Sequence, residues 1–398
     1  MPVPPPVMTA IRPARSFICV PPRPAILPNT MLLETLLPLG KVDPGLRAPE
    51  VALDLSSIGR TAKLLEEIGY DGMVVEETKD DPFVIMALAA AATARLKLAT
   101  SVAIAFPRSP TVTAMSAWTL QKLSSGRFTL GLGTQVKAHI ERRFGLPWSP
   151  AGPWIREYVS AVRAVWDCWQ TGTKLDVKGP HYNINLMVPL FNPGPIEHPR
   201  IPIQLAAVNP VMSQIVGEVA DGLRPHPVCT PSYIAEVMLP AVRAGAAKSG
   251  RSLEQFQVCM KPLVATAATE EELAKKIVDV RARISFYAST PQYRAAFAHH
   301  GLGDLADELK LLSRAQRWEE MPRYITDDIL HTFVSVGTYD QIAGRLLDRY
   351  SGVVTHCEFS IPVNDGDDKD RLRDLAKTIQ GQSADKARIA IVGAPSKD

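Results

Sequence analysis

Between Gly69 and Gly133 the chain repeats one structural unit: an amphipathic helix, a turn, then a short apolar strand that ends in polar or small residues. In SSIGRTAKLLEEIGYDGMVVEET, Ile58, Ala62, Leu65 and Ile68 recur at helical spacing and Gly69 stands where a helix C-cap belongs. Gly72-Met73-Val74-Val75 then reads as a buried strand, which puts Glu76 and Glu77 at its C-terminal end. A second unit passes from the Ala-rich helix Phe83 to Ala94 into the strand Leu98 to Ala105, after which Ser109-Pro110 caps the next helix. A third strand, Arg127 to Leu130, ends in Gly131-Leu132-Gly133-Thr134.

Continuous apolar strands alternating with helices specify a parallel sheet covered on both faces. With Leu32 to Leu37 as the first strand, Ile201 to Ala206 is the fifth, Asp221 to His226 the sixth, Phe256 to Ala267 the seventh and Val353 to Ile361 the eighth. Eight such units predict an α/β fold, a (β/α)8 TIM barrel with insertions in its βα loops, whose working face lies at the strands' C-terminal ends. An open doubly wound sheet is the competing architecture, but the glycine-rich phosphate loop it calls for after the first strand is missing behind Leu37.

The rest of the chain arranges itself around residues 31–382. Residues 1–30, rich in proline and lacking the apolar core of a signal peptide, read as a disordered extension, and 383–398 as a loose tail. The proline-rich stretch from Thr171 to Arg200 is expected as a loop over the barrel mouth. The segment Ile284 to Val336, which carries Phe286, Tyr287, Tyr293, Phe297, Trp318 and Tyr324, is expected to roof a substrate pocket.

Composition narrows the function. A formal charge of +3 without a basic stripe gives no reason to expect nucleic acid, and no apolar run is long enough to span a bilayer. The five cysteines lack CxxC spacing, so neither a disulfide framework nor a zinc site is expected and a reducing cytoplasm suits them. No His-x-His pair marks a metal centre, and Lys261 is the one strand-borne lysine that Schiff-base chemistry could use. The remaining signals are small residues at strand ends and one helix start: Ala207-Val208-Asn209-Pro210 offers a capped N-terminus whose amides suit a phosphate or simply begin a helix.

Taken in order, EEIGYDGMVVEE, DPFVIMALAAAATARLKLATSVAIAFPRSP, SSGRFTLGLGTQ, HIERRFG, IREYVSAVRAVW, PIQLAAVNPVMSQIVGEVADGL and VGTYDQIAGRL resemble the bacterial luciferase-like monooxygenase superfamily, in its branch of oxidoreductases using the deazaflavin coenzyme F420. The resemblance runs from about Leu32 to Pro362. It implies a cofactor ring at the C-terminal face, a non-proline cis peptide within Ser101-Val102-Ala103-Ile104 behind that ring, Gly131, Gly133 and Thr134 near the ring and ribityl chain, and Ala207, Val208 and Asn209 at the phosphate. Arg156 is a candidate for the cofactor tail or a solvated helix arginine. The family's F420 dehydrogenases carry Asp-His after the second strand, where this chain has Glu76-Glu77-Thr78. Glu77 becomes the candidate active-site carboxylate, with a structural carboxylate as the alternative, and His226 is the best-placed histidine. The expected activity is hydride transfer between F420 and a small-molecule substrate by a homodimer. An FMN-dependent two-component monooxygenase and a non-catalytic cofactor-binding sensor are the alternatives.

Overall fold

The computed structural model describes residues 31–41, 52–381 and 385–393. Eight parallel strands close on themselves: β1 (Leu32–Leu36), β2 (Gly72–Val75), β3 (Lys97–Thr100), β4 (Phe128–Gly133), β5 (Ile203–Ala207), β6 (Gly222–Pro225), β7 (Gln257–Met260) and β8 (His356–Glu358). Each pairs with its neighbour in sequence, and β8 returns to β1 with Glu358 opposite Glu34. A two-residue strand, Ala103–Ile104, continues past β3 and pairs with the end of β4. The outer ring is α1 (Ile58–Ile68), α2 (Pro82–Ala92), α3 (Pro110–Leu123), α4 (Ala151–Thr171), α5 (Pro210–Val219), α6 (Leu239–Ser249), α7 (Glu270–Ala288), α8 (Tyr339–Tyr350) and α9 (Gly366–Gln380).

The expected helix boundaries have identifiable local causes. Gly69 closes α1 at φ 105°, a left-handed conformation that costs glycine nothing. The side chains of Asp81, Ser109 and Asn209 accept first-turn amides of α2, α3 and α5, each followed by a proline at the first helical position.

Alternation along the strands separates two interiors. Leu33, Met73, Val75, Leu98, Phe128, Leu130, Ile203, Leu205, Leu223 and Val258 point outward into the main core beneath the helices. The opposite parity faces the barrel axis, where Leu36, Val74 and Ala99 form a small separate apolar cluster. Among the other axial positions Glu34, Gln204, Arg224, His356 and Glu358 are polar and buried. A barrel interior is ordinarily filled by branched apolar side chains, so this one carries an unusual load of charge.

Four expectations need correction. The seventh strand stops at Met260: Pro262 has no amide to donate, and Leu263–Ala267 leaves the barrel to pair in parallel with Val334–Thr338. The eighth strand is confined to His356–Glu358. The loop from Thr171 to Arg200 does not cover the mouth but descends the outside of α3 and α4, held by Trp118 Nε1 on the Gly194 carbonyl, Gln121 Nε2 on that of His198, and Glu157, which accepts the His181 and Tyr182 amides. The tail is not loose throughout, because Asp385–Val392 forms a helix with Ile391 buried, and Arg243 and Arg388 each donate across its boundary with the barrel. Residues 1–30 lie outside the described residues.

Candidate functional site

At the barrel's C-terminal face the ends of β3, β4 and β5 form one wall. The Ser101-Val102 peptide is cis, within the stretch where the resemblance placed such a bond. Thr100 Oγ1 ties this segment to β4, donating to the Gly131 carbonyl at 2.6 Å and accepting the Gly131 amide at 2.9 Å. The closeness explains the glycines. A Cβ on Gly131 would lie 1.8 Å from the Thr100 carbonyl oxygen, and one on Gly133 would lie 2.6 Å from Val102 Cγ2. The wall is therefore nearly free of side chains on β4, while Ser101, Val102 and Thr134 remain half-buried, as do Val208 and Asn209 where β5 leads into α5. Asn209 Oδ1 accepts the Met212 amide at 2.9 Å, and the exposed first turn of α5 keeps the dipole and remaining amide character that suit an anion.

Glu77 stands behind this wall. Its Oε2 accepts the Ile104 amide at 2.7 Å and Arg108 Nη1 donates to both of its oxygens, at 2.9 and 2.7 Å. Arg108 also reaches Asp81, the N-cap of α2. Those contacts tie Glu77 to the segment that follows the cis peptide.

The barrel axis supplies other carboxylates. Arg224 donates to Gln204 Oε1 at 2.6 Å, Glu34 Oε2 at 3.1 Å and Ser101 Oγ at 3.1 Å, so it connects the charged interior to the cis segment. Burial pushes the Glu34 carboxyl up, but Arg224 and His356 outweigh it and hold it below its usual value. Burial lowers His356 to about 4, leaving a neutral ring at pH 7 with Nδ1 2.8 Å from Thr355 Oγ1. Ligand-type atoms of Glu34, Cys259 and His356 converge within 4.8 Å of one another. Arg224 already sits on that glutamate and Gln204 Nε2 donates to Cys259 Sγ, so the protein itself engages the set.

Glu358 differs from all of these. Its Oε2 is buried without a hydrogen-bond partner and lies 3.9 Å from Arg224 Nη1. Burial, opposed by Lys261 and Arg224 and reinforced by Glu34 and Glu76, pushes its carboxyl up to about 7. It faces a cleft where the ends of β1 and β8 meet Lys261 and the departing strand Leu263–Ala267. Glu76, next to Glu77 in the stretch where the resemblance puts the family's Asp-His pair, bonds Lys41 and lies 4.0 Å from Lys261.

His226 follows β6 at the same face. Tyr293 stacks on its ring at 4.0 Å between centroids and Tyr287 meets it edge-on at 4.8 Å, so the aromatic insertion does reach the barrel mouth. Arg156 is placed elsewhere. Its Nε donates to Glu218 at 2.5 Å, a contact shared with Lys248, near the end of α5 remote from Asn209. At 1.5 Å per residue those two positions are about 13 Å apart, so the structure separates Arg156 from the phosphate-suited helix start.

The family described as luciferase-like monooxygenase matches residues 36–356. The chain belongs to that family. An uncharacterised protein of Mycobacterium tuberculosis is 44% identical over 300 residues, covering 75% of this chain and 88% of its own. An F420-dependent glucose-6-phosphate dehydrogenase of Nakamurella multipartita is 28% identical over 259 residues, covering 65% and 72%. Among solved structures, EDTA monooxygenase from Chelativorans superimposes with a TM-score of 0.67 at 15% identity, covering 92% of this chain and 98% of that one, a likeness of fold.

Sequence reasoning missed Glu34, Arg224 and Glu358. Their signal was a charged residue inside a short strand, in LLETL, GLRP and HCE.

Proposed function

We propose that this member of the family is an F420-dependent oxidoreductase acting on a small organic substrate. The observation that carries the reading is the wall of β3, β4 and β5, where β4 presents backbone rather than side chains and α5 begins beside it. A flat ring fits such a surface and a phosphate fits the helix start. Ser101, Val102, Ala103, Ile104, Gly131, Gly133, Thr134, Ala207, Val208 and Asn209 would hold the cofactor. The sequence relative named as F420-dependent supports the choice of cofactor.

Bound there, the deazaflavin would supply a hydride donor or acceptor at its C5. The chain's own part is position, exclusion of water and the proton. Glu358, whose Oε2 is unpartnered, is assigned to exchange a proton with the substrate, and Glu77 to fix the wall. His226 and its two tyrosines form the side of the mouth opposite Glu76.

FMN-dependent monooxygenation is the second reading, favoured by the family's description and by the monooxygenase of like fold. A cofactor-binding sensor is the third. Anaerobic mixing of the protein and reduced F420 with a panel of carbonyl and enoate acceptors tests them: return of the oxidised cofactor's absorbance supports hydride transfer. Turnover seen only with reduced FMN and oxygen supports the second, and binding with neither the third.

A homodimer accords with the large apolar side chains exposed on adjoining helices, Val84 and Leu88 of α2 and Val112 and Met115 of α3. A cytoplasmic setting accords with four buried free cysteines among the described residues. No helix among the described residues is long and apolar enough to cross a membrane.

A further inference from the structure

The cleft beside Glu358 lies on the β7, β8 and β1 side of the mouth, across from the β3, β4 and β5 wall. Its outer bank is the strand Leu263–Ala267 and helix α7. Arg283 of α7 lines it and is only 6% exposed, yet its Nε has no hydrogen-bond partner, and no ion pair to its guanidinium is found among the described residues. Asp279, one turn earlier, lines the same cleft without pairing with it. Thr266 Oγ1 is likewise buried, unpartnered and part of the lining.

A largely buried arginine whose Nε lacks a partner is costly to keep unless an anion meets it. Two unpartnered donors on one bank of one cleft have a shared explanation when an acceptor arrives with the ligand. Lys276, also in the lining, adds positive charge at the rim, while Leu36, Leu263 and Ile361 supply apolar surface further in.

We propose that this cleft binds the substrate and that the substrate is an organic anion, its carboxylate or phosphate monoester held by Arg283 and Thr266 Oγ1 and its apolar body lying against Leu36, Leu263 and Ile361. The assignment rests on the reading above, which gives the β3, β4 and β5 wall to the cofactor. The planar fork of Arg283 suits either anion bidentately.

Calorimetric titration of the cofactor-free full chain with hexanoate, hexyl phosphate and 1-hexanol tests this. At least one of the two anions should bind, with the alcohol weaker by about tenfold or more, the range of a charge-assisted hydrogen bond. The better anion identifies the head group. Arg283→Met should weaken the anion about tenfold or more without lowering the melting temperature of the unliganded protein, and Thr266→Val should weaken it less. Arg283→Lys should retain part of the affinity, which keeps the test open if the methionine variant does not fold. Equal binding of alcohol and anions, anion binding unchanged in Arg283→Met, or no binding of either anion would overturn the proposal. So would displacement of the anion by F420, which would assign the cleft to the cofactor's own phosphate. Anion binding that persists in a protein unable to bind F420 would leave this site standing and fault the cofactor reading instead.

Discussion

Replacing Glu358 with glutamine should make the protein more stable at pH 8 than the native sequence, and the advantage should fade on acidification. Burial raises the carboxyl from its ordinary value near 4.5 to about 7 in the fold. The folded state therefore binds more protons than the unfolded one between those limits. The sign follows: this group's contribution to stability is fully present below about pH 4.5 and is lost as pH rises through about 7. A shift of about 2.5 pH units corresponds to roughly 3 kcal/mol. Glutamine keeps the shape and the N–H donor that stands in for the acid's O–H, and it does not ionise. Denaturant unfolding of both proteins at half-unit steps from pH 4.5 to 8.5 should show their difference growing by roughly 3 kcal/mol and levelling off above about pH 7.5. Infrared difference spectra should show a protonated-carboxyl stretch at pH 5.5 that Glu358→Gln removes. Two curves that run parallel across the whole range, with no such band, would refute the reasoning: Glu358 would then be an ordinary ionised partner of Arg224 and Lys261.

Other substitutions probe the rest of the site. Gly131→Ala places a Cβ 1.8 Å from a carbonyl oxygen and should cost about 3 kcal/mol or more in thermal or denaturant unfolding, whereas Gly133→Ala meets the movable Val102 side chain and should cost less while weakening cofactor binding. Arg224→Met strands the buried Glu34 carboxylate and should destabilise by about 3–5 kcal/mol, much of it regained in the Arg224→Met, Glu34→Gln double variant, as a double-mutant cycle would read. Glu77→Gln weakens the bond to Arg108 and should reduce cofactor affinity together with turnover; a loss of turnover at unchanged affinity would return Glu77 to the chemistry. Arg156→Ala should leave cofactor affinity unchanged and lower thermal stability through the loss of its contact to Glu218.

The alternation of helix and strand and the caps at Gly69, Asp81, Ser109 and Asn209 were legible because each depends on residues close in sequence, whereas the segments 101–104 and 131–134 were marked only by the family resemblance, since the contact of Thr100 with Gly131 that joins them spans 31 positions. The barrel's interior was not. Glu34 and Arg224 are 190 positions apart, and nothing near either names the other; the sole hint is a charge inside a short strand, which needs the register of the closed sheet to become a pair. Glu77 was visible as a carboxylate at a strand end, but its commitment to Arg108 depends on how the chain bends after Ile104. Arg156 faced the same difficulty, since a helix arginine's partner is chosen by the neighbouring helix. In the sequence, Phe256 to Ala267 reads as one strand because apolar residues resume after Lys261-Pro262, where one missing amide redirects the chain.

The central claim is that the β3, β4 and β5 wall receives a deazaflavin. An equilibrium fluorescence titration of the purified, cofactor-free protein with oxidised F420 and, in parallel, with FMN tests it most directly. The account predicts saturable F420 binding with FMN weaker by about tenfold or more, a difference of about 1.4 kcal/mol. Preference for FMN, or binding of neither, would contradict it.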